Sequence, residues 1–170
     1  EVDTDIKTLY LKAATAKRRG ENQGHIEEEK FELMHNEDQF ILTISENGYG
    51  KRTSAYEYRI TNRGGQGIIN IETSERNGPV IASFLVQDSD DVMLVTNAGR
   101  MIRSPVNDIR IASRNTQGVT LFSIDKGEKV VSVTAISAVE GEENEDSLVE
   151  TEKNINSDDD SINEEVNTDE

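Results

Sequence analysis

Arginine returns at matched places in this chain, as Arg52 and Arg103, Arg59 and Arg110, and Arg63 and Arg114, each pair 51 residues apart. A guanidinium presents a planar fork of donors that fits phosphate oxygens, so such a row suits contact with a nucleic-acid backbone. Lys51, Arg100, Lys126 and Lys129 read as ordinary exposed cations able to join the row. Other chemistries find no support. His25 and His35 are the only histidines, cysteine is absent, and no HExxH spacing could hold a metal. No GxxxxGK[ST] loop offers a nucleotide site, and Gly64-Gly65-Gln66-Gly67 has no helix after it to complete a phosphate cradle. Tyr49, Tyr56 and Tyr58 read as strand packing rather than nucleophiles. Neither a catalytic residue nor a cofactor is expected.

The arginines belong to a longer repeat. At the same offset Gly48 aligns with Gly99, Ile60 with Ile111, Gln66 with Gln117 and Gly67 with Gly118. Seven identities thus fall within twenty positions without a gap, and three of them are arginine. Packing would repeat Val, Ile or Leu, and turns would repeat Gly. Repeated arginine asks for another reason. Residues 40–44 and 92–96 are apolar, β-branched runs that end at the turns Glu46-Asn47-Gly48 and Asn97-Ala98-Gly99, a strong hairpin signal. Residues 80–86 and 130–136 read as further strands. About four short strands per unit of this period suit a propeller-like blade, whose apolar faces need neighbours to cover them.

Within a blade, Arg52 and Arg103 fall on the strand leaving the hairpin. In Tyr58-Arg59-Ile60 and Ile109-Arg110-Ile111, alternation turns the apolar neighbours inward and the arginines outward. These four are read as DNA-facing. Arg63 and Arg114 open the loops 63–67 and 114–118, where they either bind phosphate or pin the loop through backbone carbonyls.

The charge is unevenly spread. Residues 1–38 carry −4, residues 39–137 carry +1 and residues 138–170 carry −13, together the net −16. The repeated region is therefore not acidic, and three domains follow: a helical insertion or linker over 1–38, two blades over about 39–87 and 88–137, and an acidic tail over 138–170. With Asp158-Asp159-Asp160 and few large apolar residues, the tail is expected to be disordered. It serves either solubility or competition with DNA for a basic surface. Ile6, Leu9, Tyr10, Ala13 and Ala14 predict a helix capped by Thr4 or Asp5 and ended by Gly20, with Lys17-Arg18-Arg19 complementing its C-terminus. A shorter helix is predicted over 26–34. No run is long and apolar enough for a membrane span. The chain opens on Glu1 rather than Met, and such arrays usually need about three or more repeats, so further blades are expected upstream.

The text of 43–53, Tyr58-Arg59-Ile60-Thr61-Asn62-Arg63 with the loop to Gly67, residues 91–100, and 114–119 resembles the C-terminal domain of the DNA gyrase A subunit. The resemblance covers about 38–137. It implies an all-β β-pinwheel, a propeller variant with strand exchange between blades, around which double-stranded DNA bends. It also implies a parent type II topoisomerase of the bacterial cytoplasm that introduces negative supercoils. Its partners would be the nucleoid's DNA, the rest of the gyrase A subunit, and the gyrase B subunit. ATP and Mg would be used by the holoenzyme. The chain lacks the region with the DNA-cleaving tyrosine and the basic heptapeptide box, of which 63–67 looks like a degenerate relative. Residues 1–38 would be an insertion. The A subunit of topoisomerase IV has similar blades, and a protein-interaction propeller is the alternative from another class. If Arg52, Arg59, Arg103 and Arg110 each neutralise one phosphate, log K for DNA should change with log salt at a slope of about −3.6.

Overall fold

The computed structural model describes residues 2–137 apart from Gln23 and His25. The expectation of a disordered acidic tail therefore lies outside the described residues. The order of elements is α1 (Thr4–Arg18), α2 (Glu28–Glu37), β1 (Phe40–Ser45), β2 (Tyr49–Ser54), β3 (Val80–Val86), β4 (Asp91–Thr96), β5 (Met101–Pro105), β6 (Val119–Thr120) and β7 (Val130–Ile136).

Each repeat folds its apolar run into a tight hairpin. Gly48 and Gly99 take φ of +76° and +80°, and each donates its N–H to the carbonyl three residues back, Ser45 and Thr96, closing the turn. The later strand returns to the other side of the first: β3 pairs antiparallel with β1, and β7 with β4. The first sheet then gains a strand from the second repeat, giving the order β3-β1-β2-β6, whereas the second sheet holds only β5-β4-β7. That borrowed strand is the exchange of a β-pinwheel. One core runs through both repeats, from Leu42, Ile44 and Val86 to Val92, Leu94, Val106, Ile109, Phe122 and Val130. Alternation in β4, with Val92, Leu94 and Thr96 buried, follows the two-residue period of a half-covered sheet.

Both helices form, the second over Glu28–Glu37 rather than 26–34, and the first has a different cap. The N-cap is Asp3, whose carboxylate accepts the Asp5 N–H at 2.8 Å, rather than Thr4 or Asp5. The Thr8 hydroxyl donates to the Thr4 carbonyl at 2.9 Å. Tyr10, Ala13 and Ala14 of α1 pack on Phe31 and Met34 of α2. The hairpin so formed is fastened to the first blade. The Tyr10 ring meets Tyr56 edge-on at 5.3 Å between centroids, and its hydroxyl donates to Asp38 at 2.9 Å. Ser54, at the end of β2, donates to the other Asp38 oxygen at 2.7 Å. Burial still pushes the Asp38 carboxyl above its ordinary range despite both donors.

Candidate nucleic-acid interface

The seam between the repeats decides which cations are free. Past Pro105 a 3₁₀ turn, Val106–Asp108, delivers residues 109–120 to the open edge of β2. The Arg52 N–H donates to the Arg110 carbonyl at 3.0 Å, and the Ala112 N–H returns a bond to the Arg52 carbonyl at 2.9 Å. Two glycines allow the close approach. A Cβ at Gly118 would lie 2.7 Å from the Gly50 oxygen, and one at Gly48 would lie 2.6 Å from the Phe122 oxygen.

Two expected phosphate ligands are consumed by this seam. Arg52 is 5% exposed: Nε donates to the Ile109 carbonyl at 2.7 Å, one terminal nitrogen to the Asn107 carbonyl at 3.0 Å, and the other meets Asp88. Lys51, expected to be exposed, is 0% exposed, and its ammonium donates to the Ser113 and Arg114 carbonyls and to the Thr116 hydroxyl. Neither residue is an exposed phosphate ligand: both are pins across the seam. The physical reason is the strand exchange itself, which covers the edge of β2 with carbonyls that need donors. A signal was present for Lys51, because its repeat mate is Ile102, so the position faces an interior.

The repeat mates of Arg52, Gly48 and Gly118 stand open. Arg103, on β5, is 63% exposed in its side chain and is paired with Asp91 at 2.6 Å. Nothing lies within 4 Å of a Cβ at Gly99 or Gly67. Ile60 is 80% exposed, so the expectation that it turns inward fails, whereas Ile109 is buried and Ile111 half-buried. Residues 109–111 have β2 to lie on; residues 58–60 have no such strand among the described residues.

The remaining candidates divide in the same way. Arg100 is held by Glu128 at 2.7 Å, with Asp125 at 3.6 Å. Hydrogen bonding from Thr96 first, then from the Asp125 backbone and Arg100, keeps the Glu128 carboxylate below its usual range, so this pair is built into the turn. Arg114 donates to the Ile69 carbonyl at 2.7 Å while its own N–H donates to Glu57 at 2.8 Å, so the loop-pin alternative describes it. Lys129 reaches Glu46 at 2.8 Å. Arg59, Arg63 and Arg110 are exposed and form no ion pair among the described residues. Pairing along the seam engages only the backbone at Arg110 and leaves its guanidinium outward. Among the described residues no cluster of three or more His, Cys, Asp or Glu could hold a metal ion, and no helix is long and apolar enough to cross a membrane.

A two-blade array with an exchanged strand and exposed, unpaired arginines at matched places defines a propeller-type repeat module. Residues 39–87 and 90–137 match the family described as the DNA gyrase C-terminal domain, a β-propeller. The chain belongs to that family. It is 50% identical over 119 residues to the DNA gyrase A subunit of Rickettsia bellii, covering 70% of this chain and 13% of that protein. It is 41% identical over 162 residues to the DNA gyrase A subunit of Granulibacter bethesdensis, covering 82% of this chain and 17% of that protein. Among solved structures, a DNA gyrase A C-terminal domain superposes with a TM-score of 0.55 at 25% identity, over 59% of this chain and 34% of that one. The C-terminal domain of a DNA topoisomerase IV shares the fold, with a TM-score of 0.54 at 24% identity over 59% of this chain and 32% of that one. The match spans only 13% of the Rickettsia protein and 17% of the Granulibacter one, a small part of either.

Proposed function

We propose that this chain binds double-stranded DNA through its exposed arginines and bends it as part of a gyrase-type topoisomerase. In that enzyme the rest of the A subunit, together with the B subunit, would supply strand cleavage and ATP hydrolysis with Mg, in the bacterial cytoplasm. The observation that carries the reading is the matched pair Arg59 and Arg110, repeated by sequence and free of acidic partners among the described residues. Family membership favours it over a protein-interaction propeller, and the relatives favour the A subunit of gyrase over that of topoisomerase IV. The open seam halves, with Arg103 and Gly99 on one side and Ile60 and Gly67 on the other, would take further blades of the same kind.

Contacts to phosphate are blind to sequence, so preference should track bendability. Arg59, Arg63 and Arg110 together contribute about −2.7 to the salt slope, in place of the value expected with Arg52 and Arg103 included. Replacing all three by glutamine should flatten the slope by that amount in a salt titration of duplex binding; a wild-type chain with no salt-dependent binding would sink the reading. The acidic segment supplies a second test. Removing everything after Ser137 should strengthen binding at low salt and leave it unchanged at high salt, where its charges are screened. Equal affinity at low salt would assign the segment to solubility instead.

A further inference from the structure

Beside its buried side, α1 carries Lys7, Thr8, Leu11, Lys12 and Thr15 on one arc at three- and four-residue steps, with Arg19 following at the C-cap. This arc forms one wall of a groove of about 650 Å³ whose other wall is 56–59 with Ser113 and Arg114. Glu21 and Glu57 are the acids of that lining, and Glu57 is already engaged by the Arg114 N–H. Lys7, Lys12, Arg19 and Arg59 make no ion pair among the described residues. Their neighbour Lys17 is different, since it bonds Glu32 at 3.1 Å on the far side of the helix. Cations without an ion pair among the described residues are thus gathered on the groove side, next to one of the exposed arginines of the blades.

We propose that this groove is a phosphate-binding track that carries the DNA path from the first blade onto α1. The inference rests on the wrapping reading and extends it to residues 1–38, which lie outside the family match. From Lys7 to Arg19 the helix rises about 18 Å, a length along which duplex DNA carries on the order of ten phosphates. Lys7, Lys12 and Arg19 offer that backbone charge and donors, contacts that position a duplex without reading its bases. Lys51 contributes indirectly, because it ties down the Ser113 and Arg114 carbonyls that shape the far wall.

The test is a salt titration of duplex binding by the full 170-residue chain carrying Lys7→Gln, Lys12→Gln and Arg19→Gln together. Glutamine keeps helix propensity, and thermal melts would check the fold. The slope should flatten by about 2.7, beyond the change made by the Arg59, Arg63 and Arg110 substitutions. In the unaltered chain, Lys7 and Lys12 should lose reactivity toward an acetylating reagent when duplex DNA saturates it, while Lys30 on α2 should not. An unchanged slope with the α1 triple, alongside a flattened one with the blade triple, overturns the track and leaves wrapping intact. Absence of DNA binding by the wild type overturns both. Lysines shielded before DNA is added would assign the groove to the chain's own acidic segment and overturn the track.

Discussion

Replacing Arg52 with alanine should lower the unfolding free energy by about 3 kcal/mol, whereas the same change at Arg103 should cost less than about 0.5 kcal/mol. The two residues occupy one position of the repeat, on equivalent strands of their hairpins. What differs is the seam. At Arg52 the guanidinium satisfies the Ile109 and Asn107 carbonyls, and truncation leaves the buried Ile109 acceptor and the half-buried Asn107 acceptor without this donor. An unsatisfied buried acceptor costs about 1–3 kcal/mol, and loss of the packed stem adds to it. Asp88, the third partner, is itself well exposed, so its share is small. At Arg103 only an exposed ion pair with Asp91 is lost. Lysine at position 52 should recover only part of the stability, because one ammonium cannot place donors in the same fork. Urea melts of the variants would decide it. A module whose stability is a sum over blades and seams should also show a broadened transition for Arg52→Ala. Equal losses at 52 and 103 would remove the seam from the account.

That contrast also marks how far the sequence could be read. Strands, hairpin turns and the repeat offset were legible because a two-residue apolar period and positive-φ glycines are local requirements. The helix pair was legible from the spacing of Tyr10, Ala13, Ala14, Phe31 and Met34, though not its attachment through Asp38 to Ser54, which depends on tertiary placement. The sites were harder. Arginine repeated at position 52 and at position 59 looks alike in a sequence, yet one serves the seam and the other solvent. Strand exchange brings residues nearly sixty apart together, and only that pairing shows which guanidinium meets a carbonyl. Arg59 and Arg110 are exposed as expected, and Arg63, for which the sequence left two roles open, is exposed as well; Lys51 and Arg52 are buried. Helix-end complementarity describes Lys17 and Arg18 but not Arg19, whose place on the groove beside Lys7 and Lys12 depends on how α1 sits against residues 56–59.

Lys51 should make the stability of the module rise with pH on the alkaline side of neutrality. Burial lowers the Lys51 ammonium to about 8, with the nearby Arg114 acting in the same direction and Glu57 opposing it. In the unfolded chain the group returns to the ordinary lysine value of about 10.4. Below pH 8 both states hold the proton, so the group adds no pH dependence. Between about 8 and 10.4 the unfolded chain holds a proton that the folded chain has released, so raising pH favours folding, by up to about 3 kcal/mol across the window. The stability this group contributes is complete above the upper value and lost as pH falls through the lower one. Tyr56 and Tyr58 are shifted upward by burial and work in the opposite sense, so the total curve mixes the two. The measurement is therefore a difference: urea melts of wild type and Lys51→Met from pH 7 to pH 10. Methionine keeps the apolar stem but leaves the Ser113 and Arg114 carbonyls unpaired, so it should be the less stable protein throughout. The gap should widen above pH 8, because only the wild type gains from proton release. A gap that stays constant would mean that Lys51 keeps an ordinary affinity for its proton, with its three acceptors fully offsetting the cost of burial.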